Sequence, residues 1–200
     1  MAAMAGRNIV LVVLALSTLA SASTAAAFSY NYYQFYPSIQ HLQLNIPSFS
    51  FNPSNTSLNA YAIFTINNPT SYNGLGLTEF EPSFEMYGPN GSIPAGGVIT
   101  FTAPRENLSP GRTVTFNVSF SGFRSGPGEV YQMVQAGATL SEFSFNFTIG
   151  VFLSTFLDTY ASIRALYTCS SQMGGGTCMQ VGILLNSTPS PSVGGGGGAV

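Results

Sequence analysis

Strict alternation of apolar and polar side chains is the feature that most limits what this chain can fold into. In the segment 112–120 the two kinds alternate without exception after Arg112, with apolar Val114, Phe116, Val118 and Phe120 against polar Thr113, Thr115, Asn117 and Ser119. Successive side chains of a β-strand point to opposite faces, so a period of two places the apolar set on one face. The segment is therefore predicted to be a strand with one face in the core and the other in water.

The same period recurs along most of the chain. It is present at residues 42–51, with a bend predicted at Pro47, where the apolar set changes parity. Only residues 129–136 have helical spacing. Seven or eight short strands with at most one short helix predict an all-β fold, an antiparallel sandwich of two sheets. The further alternating runs are 58–66, 80–86, 99–101 and 143–151, and 163–169 with 178–185 are predicted to form a final hairpin around glycines 174–176.

The first 27 residues have the layout of a secretory signal peptide. Arg7 precedes the apolar run 9–16, which gives way to small residues ending at Ala27. The strongly apolar part is about a dozen residues, shorter than the roughly 20 that a membrane-spanning helix needs. We therefore expect cleavage near Ala27 and a secreted protein of the cell exterior or wall. Retention of residues 8–27 as a membrane anchor is the alternative, and only then would a membrane be a partner.

Three segments follow the leader, residues 1–27. Residues 28–38 form a Tyr-rich lead-in, and residues 39–186 form the sandwich domain. Residues 187–200 are rich in Ser, Pro and Gly and are expected to be disordered. The chain beyond the leader is long enough for one domain with a sizeable core.

Charge is scarce in this chain, because 6% of residues are charged and no Lys occurs. The few Arg residues are too scattered to neutralise a row of phosphates, so we expect no nucleic-acid partner. Solubility must then come from polar side chains and from glycans. Of the Asn-x-Ser/Thr sequons, at least two are expected to carry glycan; the candidates are Asn55, Asn90, Asn107, Asn117, Asn146 and Asn186.

The two cysteines, Cys169 and Cys178, are predicted to form a disulfide that joins the arms of one hairpin. Closing so small a loop would stabilise the fold by roughly 2.5 to 3 kcal/mol. A metal or redox site is disfavoured, because the spacing is not Cys-x-x-Cys and the only histidine, His41, lies far away in sequence. No cofactor is expected.

Three carboxylates, Glu79, Glu81 and Glu85, share one parity of the third predicted strand and should project from one face. Alternate residues of a strand lie about 7 Å apart, a separation that glycoside hydrolysis uses. Any Glu-x-Glu has this spacing, however, so a solvated face that discourages edge pairing is the favoured interpretation. A calcium or partner contact and catalysis are the alternatives. With one imidazole, His41, one aspartate, Asp158, and no Gly-x-Ser-x-Gly motif, we expect no enzyme.

The lead-in contains Tyr30, Tyr32, Tyr33 and Tyr36. Exposed tyrosine rings can stack on sugar faces, so these four are candidate ligand contacts on a carbohydrate-binding surface. The plainer prediction is that the lead-in is an edge strand or a flap over the core.

Residues 39–185 resemble the plant late embryogenesis abundant group 2 family, including its membrane-anchored, defence-associated relatives. The resemblance lies in the strand 58–66 running into Asn67-Asn68-Pro69, in the segment 101–104 leading to strand 113–120, and in a late strand ending at Cys169. That family typically has an Asn-Pro-Asn turn, and Thr70 replaces its second Asn here. The resemblance implies a sandwich of immunoglobulin or fibronectin type III kind, with roles in desiccation, stress or defence and usually no enzymatic activity.

These observations predict a secreted, glycosylated, non-enzymatic β-sandwich protein of the plant cell surface or wall. We expect it to be associated with stress or defence and to act by binding a protein or polysaccharide that the sequence does not identify. A carbohydrate-binding wall protein is the second hypothesis. A small wall hydrolase is the third and the least favoured.

Overall fold

A computed structural model describes residues 2–53, 58–89, 91, 95–98, 101–121, 127–155, 160–170 and 176–186. Two helices and nine strands occur in these parts of the chain. In order they are α1 (Ala2–Gln40), β1 (Gln43–Pro53), β2 (Leu58–Asn67), β3 (Gly76–Tyr87), β4 (Ala95–Val98), β5 (Phe101–Asn107), β6 (Thr113–Ser121), α2 (Pro127–Gln135), β7 (Ser144–Ser154), β8 (Tyr160–Ser170) and β9 (Thr177–Asn186). A single 3-10 turn, Leu140–Glu142, precedes β7.

The strands form two antiparallel sheets. One has the order β1-β2-β6, and the other has the order β4-β3-β7-β8-β9 with β5 also paired to β3. The predicted antiparallel two-sheet sandwich is therefore confirmed. The strand count exceeds the predicted seven or eight because two short strands share one edge of β3. Pro82 lies at the break between them, where β5 pairs with residues 76–80 and β4 with residues 83–86.

The predicted bend at Pro47 is confirmed by the pairing of β1 with β2. The register shifts between Asn45 and Ser48, so that Ile46 and Phe49 are both buried although they are three residues apart. A proline has no N–H to donate to a strand ladder, and a bulge is where a sheet tolerates one. The bulge keeps the apolar set of β1 on the core side over the whole strand.

The space between the sheets is filled largely by phenylalanine rings. Phe147 of β7 lies at the centre, with ring centroids 5.1 Å from Phe49, 5.9 Å from Phe64 and 6.0 Å from Phe120. Rings from both sheets thus interdigitate at the separations that aromatic pairs prefer. The core joins the two sheets at their centres rather than along their edges.

Helix α1 is the main departure from the sequence expectation. It is unbroken through Ala27 and includes the whole lead-in, which is therefore not an edge strand. Asn31, Phe35, Ser38 and Ile39 recur at helical spacing and are all buried, so one face of the last turns packs on the sandwich. The sequence pattern predicts no long helix for these residues. A Tyr-rich segment without strict periodicity does not reveal which three or four of its side chains pack on the sandwich.

Helix α2 confirms the one short helix expected near residues 129–136. Its buried contact is Val130. The helix stops at Gly137, which has a φ of 104°, and the N–H of Ala138 donates to the carbonyl of Met133 over 3.0 Å. This is a Schellman ending, in which glycine takes the left-handed position. The predicted disordered tail, residues 187–200, lies outside the described residues.

Candidate functional site

The four lead-in tyrosines lie outside the buried face of α1, although Tyr36 packs partly against the core. Tyr30, Tyr32 and Tyr33 are exposed, Tyr33 by 73%, and Tyr36 is half-buried. Tyr32 and Tyr36 are one helical turn apart, with ring centroids 4.7 Å from each other. We call these four residues the tyrosine cluster. The helix places Tyr32, Tyr33 and Tyr36 around one cleft, whereas a strand would turn Tyr33 to the face opposite Tyr32 and Tyr36.

Buried contacts on the opposite face of α1 hold the tyrosine cluster in place. Phe35 and Ile39 are almost fully buried in the core. The side chain of Asn31 accepts a hydrogen bond from the hydroxyl of Tyr72, in the loop between β2 and β3. The aromatic surface is therefore carried by a helix that is fixed to the domain.

Asn68 anchors that loop in turn. Its side-chain amide donates to the carbonyls of Tyr72 and Leu108, over 3.0 Å and 2.7 Å. Its side-chain oxygen accepts from both the N–H and the hydroxyl of Thr70. Asn68 is fully buried, and every one of these bonds is made within the protein. The Asn67-Asn68-Pro69 turn is thus a structural support for the loop on which α1 docks.

An open cleft of about 380 Å³ separates the tyrosine cluster from the end of β9. Five of its lining residues belong to α1 and one belongs to β9, and they are Tyr32, Tyr33, Tyr36, Pro37, Gln40 and Leu185. The lining contains no charged side chain. Chemically, such a cleft can offer ring faces, phenol hydroxyls and one amide to a ligand.

The apolar surface continues from Leu185 along β9. Met179, Val181, Ile183, Leu184 and Leu185 are all exposed, Met179 by 72% and Leu184 by 61%. We call these five residues the β9 strip. In the described part of the chain β9 pairs with β8 alone, so its other side is a sheet edge. Exposed apolar side chains that lie close together are the kind of surface that marks an interaction site.

Sequence reasoning missed the β9 strip. Alternation predicted the hairpin of 163–169 with 178–185, and the pairing of β8 with β9 confirms it. The prediction stopped at the hairpin and did not say which side chains of its second arm are buried. The side chains of the β9 strip are exposed because β9 is the last strand of its sheet, a position that the order of strands in space decides. The run Val181-Gly182-Ile183-Leu184-Leu185, which does not alternate, was the one available signal.

The three carboxylates of β3 lie on one outer face, as predicted. Phe80, Phe84 and Met86 between them point into the core. Burial raises the pKa of Glu79, and the neighbouring charge and hydrogen bond of Glu81 raise it further. Glu85 accepts a hydrogen bond of 2.8 Å from the hydroxyl of Tyr87. β3 pairs with β7 on one side and with β4 and β5 on the other, so the expectation that these carboxylates discourage edge pairing is wrong. The acidic row lies on a sheet face, and it does not line a cleft.

The predicted disulfide between Cys169 and Cys178 is confirmed, and it joins two residues that face each other across β8 and β9. Two residues along, the hydroxyl of Tyr167 donates to the carbonyl of Leu44 in β1, across the gap between the sheets. Burial raises the pKa of Tyr167 to about 12. The disulfide and this hydroxyl both attach the β9 side of the six-stranded sheet to the rest of the domain.

The remaining predicted site residues are dispersed. Asn107, Asn117 and Asn146 are exposed, and Asn117 accepts a hydrogen bond of 3.1 Å from the hydroxyl of Tyr61. Sequon Asn55 and sequon Asn90 lie outside the described residues, and Asn186 ends β9. His41 is exposed, with Nδ1 2.7 Å from the carbonyl oxygen of Pro37. Glycan occupancy at these sites stays a prediction.

Residues Asn8–Gln40 are long and apolar enough to cross a membrane, with a mean hydropathy of 2.1 over their most apolar stretch. That stretch makes no buried contact with the sandwich. By length and composition this part of α1 is a signal or anchor segment, and the disulfide is typical of an extracellular environment. Among the described residues, no three His, Cys, Asp or Glu side chains group closely enough to hold a metal ion.

Neither the protein-family models nor the curated proteins contain a match to this chain. Solved structures of similar shape include a Bordetella pertussis protein provisionally named ApaA, at 9% identity over 75% of this chain and 95% of that one, with a TM-score of 0.37. An Archaeoglobus fulgidus protein is 13% identical over 64% of this chain and 98% of that one, with a TM-score of 0.36. An Arabidopsis thaliana protein solved in solution is 11% identical over 76% of this chain and 87% of that one, with a TM-score of 0.32. The assignment of a sandwich rests on the strand pairing described above, not on these similarities.

Proposed function

We propose that this protein is an exported, non-enzymatic β-sandwich of the plant cell surface or wall, and that it acts by binding. One observation carries the proposal: an apolar helix with no buried contacts continues into turns that pack in the core of a disulfide-linked domain. The apolar part of the helix serves export, while the packed turns present an aromatic surface. The resemblance to the group 2 late embryogenesis abundant family, with its stress and defence roles, is part of the same proposal.

Two exported forms follow from α1, and they differ in what happens at Ala27. Cleavage there, as the sequence predicts, leaves Asn31, Phe35 and Ile39 in the mature protein, so that the docked turns survive. Retention leaves a membrane anchor joined to the domain by an unbroken helix. The continuity of α1 across Ala27, with no linker before the turns that pack on the domain, is the observation that supports the anchored form.

N-terminal sequencing and intact mass distinguish the two forms. The full chain is expressed in a eukaryotic secretory host, and both the medium and the membrane fraction are analysed. A membrane product that keeps its first residues and carries glycan is expected for the anchored form, and a soluble glycosylated product starting near Phe28 for the cleaved form. A product without glycan that stays in the cytosol would contradict export altogether.

The tyrosine cluster favours a second candidate function, binding of a neutral polysaccharide. Exposed rings beside an uncharged cleft offer stacking surfaces for sugar faces, with hydroxyls at their rims. Sedimentation with insoluble wall polysaccharide should retain the full chain and should lose Tyr32→Ala/Tyr33→Ala. Tyr160→Ala is the matched control, because Tyr160 is an exposed tyrosine outside the cluster. Equal retention of all three proteins would reject the candidate.

A further inference from the structure

The strongest unexplained feature of the domain is the β9 strip. Its side chains do not share one face of the strand: Met179 and Leu184 stand opposite Thr168 and Arg164 on the outer side, while Ile183 and Leu185 have the parity of the core. Val181 is at the register shift between β8 and β9. The apolar surface therefore wraps around the sheet edge as a ridge, about 20 Å long from residue 179 to residue 185. β9 contains no charged residue and no proline, the two common protections of an edge.

The β9 strip and α1 form one continuous surface. Leu185 lines the same cleft as Tyr32, Tyr33 and Tyr36. The tyrosine cluster in turn follows directly on the exposed apolar part of α1. Tyrosines at the end of an apolar helix are typical of the boundary between hydrocarbon and water, where the ring is apolar and the hydroxyl is hydrated. The order along this surface is thus apolar helix, tyrosine cluster, apolar strip.

The distribution of charge also fits contact with the boundary between hydrocarbon and water. No Asp, Glu, Lys or Arg occurs between Arg7 and Glu79 or after Arg164, so α1 beyond its first turns, β1, β2 and β9 are all uncharged. The acidic row on β3 is separated from β9 by β7 and β8, which is about 14 Å across the sheet. No carboxylate of that row would have to leave water if the β9 strip met hydrocarbon.

Arg164 is the charged residue nearest the β9 strip, and its positive charge suits the boundary between hydrocarbon and water. It is exposed and directly opposite Leu184 on β8. A long cationic side chain beside an apolar patch can keep its guanidinium among lipid phosphates while its stem stays apolar. A water-facing carboxylate at this position would have argued against a bilayer.

We propose that the β9 strip and the tyrosine cluster lie on the surface of the lipid bilayer in which α1 is anchored, so that the sandwich is held against the membrane by its β9 edge. The proposal rests on the anchored form of the proposed function. The partner of the β9 strip and the tyrosine cluster is the bilayer surface itself. Binding needs no anionic lipid because the strip is apolar. The opposite, acidic side of the sheet then faces away from the membrane.

The protein has no tryptophan, so a single introduced one reports its own surroundings. Three full-chain variants are reconstituted in phosphatidylcholine vesicles: Leu14→Trp in α1, Leu184→Trp in the strip, and Tyr61→Trp on the outer face of β2. All three native side chains are exposed, which leaves room for the larger ring. Equal melting temperatures of the variants confirm that each one folds. Emission is then measured with brominated lipids that quench at the headgroup boundary or at the bilayer centre.

The expected result is central quenching of the tryptophan at 14, boundary quenching of the one at 184, and no quenching of the one at 61. Quenching at 14 without quenching at 184 would overturn the β9 proposal while leaving the anchor intact. Absence of quenching at 14 would show that the anchored form itself is wrong, and the β9 proposal would fall with it. Blue-shifted emission from 184 that depends on protein concentration and not on lipid would assign the strip to a second copy of the chain and would also overturn the proposal.

Discussion

The six-stranded sheet has two unlike sides. On one side β3 carries Glu79, Glu81 and Glu85 on its outer face, and β4 and β5 pair with it. On the other side β9 carries no charge and exposes five large apolar side chains. The edge strands next to the acidic row, β4 and β5, have 4 and 7 residues, whereas β9 has 10 residues and no charge. Short strands and charges are two of the devices that keep a sheet edge from pairing with other chains. The β9 edge is therefore the one that we propose to be in contact with another surface.

The two sides also differ in how they are attached to the domain. The acidic side is continuous with the centre of its sheet through the pairing of β3 with β7. The β9 side pairs with β8 along its length and has three further cross-links: the disulfide to β8, the hydroxyl of Tyr167 in β8 to β1, and the N–H of Gly176, which donates to the carbonyl of Phe49 over 3.0 Å. The difference can be tested by first removing a ring that both sides contact and then removing groups that belong to one side only.

The largest effect is expected from Phe147→Ala, which removes the ring that both sides share. Phe147 contacts Phe49 and Phe64 in the opposite sheet and Phe84 in β3. Loss of a buried Phe should lower the free energy of unfolding by about 3 to 5 kcal/mol. Urea denaturation measures the loss, and hydrogen exchange should show both edges destabilised together. A loss confined to one edge would contradict the central position of this ring.

The next effect belongs to the β9 side alone. The double variant Cys169→Ser/Cys178→Ser opens a loop of sequence separation 9, which should cost about 2.5 to 3 kcal/mol of stability. Amides of β9 should exchange faster relative to the global rate, while those of β3 keep their relative protection. Reduction of the native protein is the matched control and should give the same pattern. Equal changes on both sides would remove the distinction drawn here.

A smaller effect on the same side is expected from Tyr167→Phe. The change keeps the ring and leaves the carbonyl of Leu44 without this donor, which should cost about 1 to 2 kcal/mol. Burial raises the folded pKa of Tyr167 to about 12, so its contribution is complete below pH 10 and is lost as the pH rises through 12. Native stability should therefore fall over this alkaline range, and the fall should be shallower in the variant. Thermal melts in which the native protein and the variant lose stability equally with rising pH would refute this account.

The smallest effect is expected on the acidic side. The pKa of Glu79 is raised in the folded state, so the folded protein binds more protons than the unfolded chain above about pH 4.5, and stability falls as the pH rises through this window. Glu79→Gln removes the titration and should flatten the profile, with a change of about 0.5 kcal/mol or less because the group is largely solvated. Glu81→Gln should act in the same direction, since it removes the neighbouring charge. A steeper acid profile in either variant would contradict the stated cause.

Much of the fold could be predicted from local pattern. Alternation located the strands and the bulge at Pro47, because the parity of apolar residues records which face of a strand is buried. The oxidising environment expected for an exported protein predicted the disulfide between Cys169 and Cys178. The lead-in was harder, because Tyr30, Tyr32, Tyr33 and Tyr36 suit a strand as well as a helix. Its helical state follows from the docking of Phe35 and Ile39 on a surface that the distant Tyr72 and Asn68 help to build.

The sequence by itself determined where most of the strands lie, which faces of them are apolar, and that residues 8–27 have the composition of a signal or anchor segment. These properties depend on neighbours a few residues apart. Only the tertiary structure decided that β9 ends its sheet, that its apolar side chains are exposed, and that Leu185 meets the tyrosine cluster across one cleft. Strand order and helix docking depend on contacts between residues far apart in the chain, and a local pattern of apolar side chains is the same whether the next layer of the protein covers it or not.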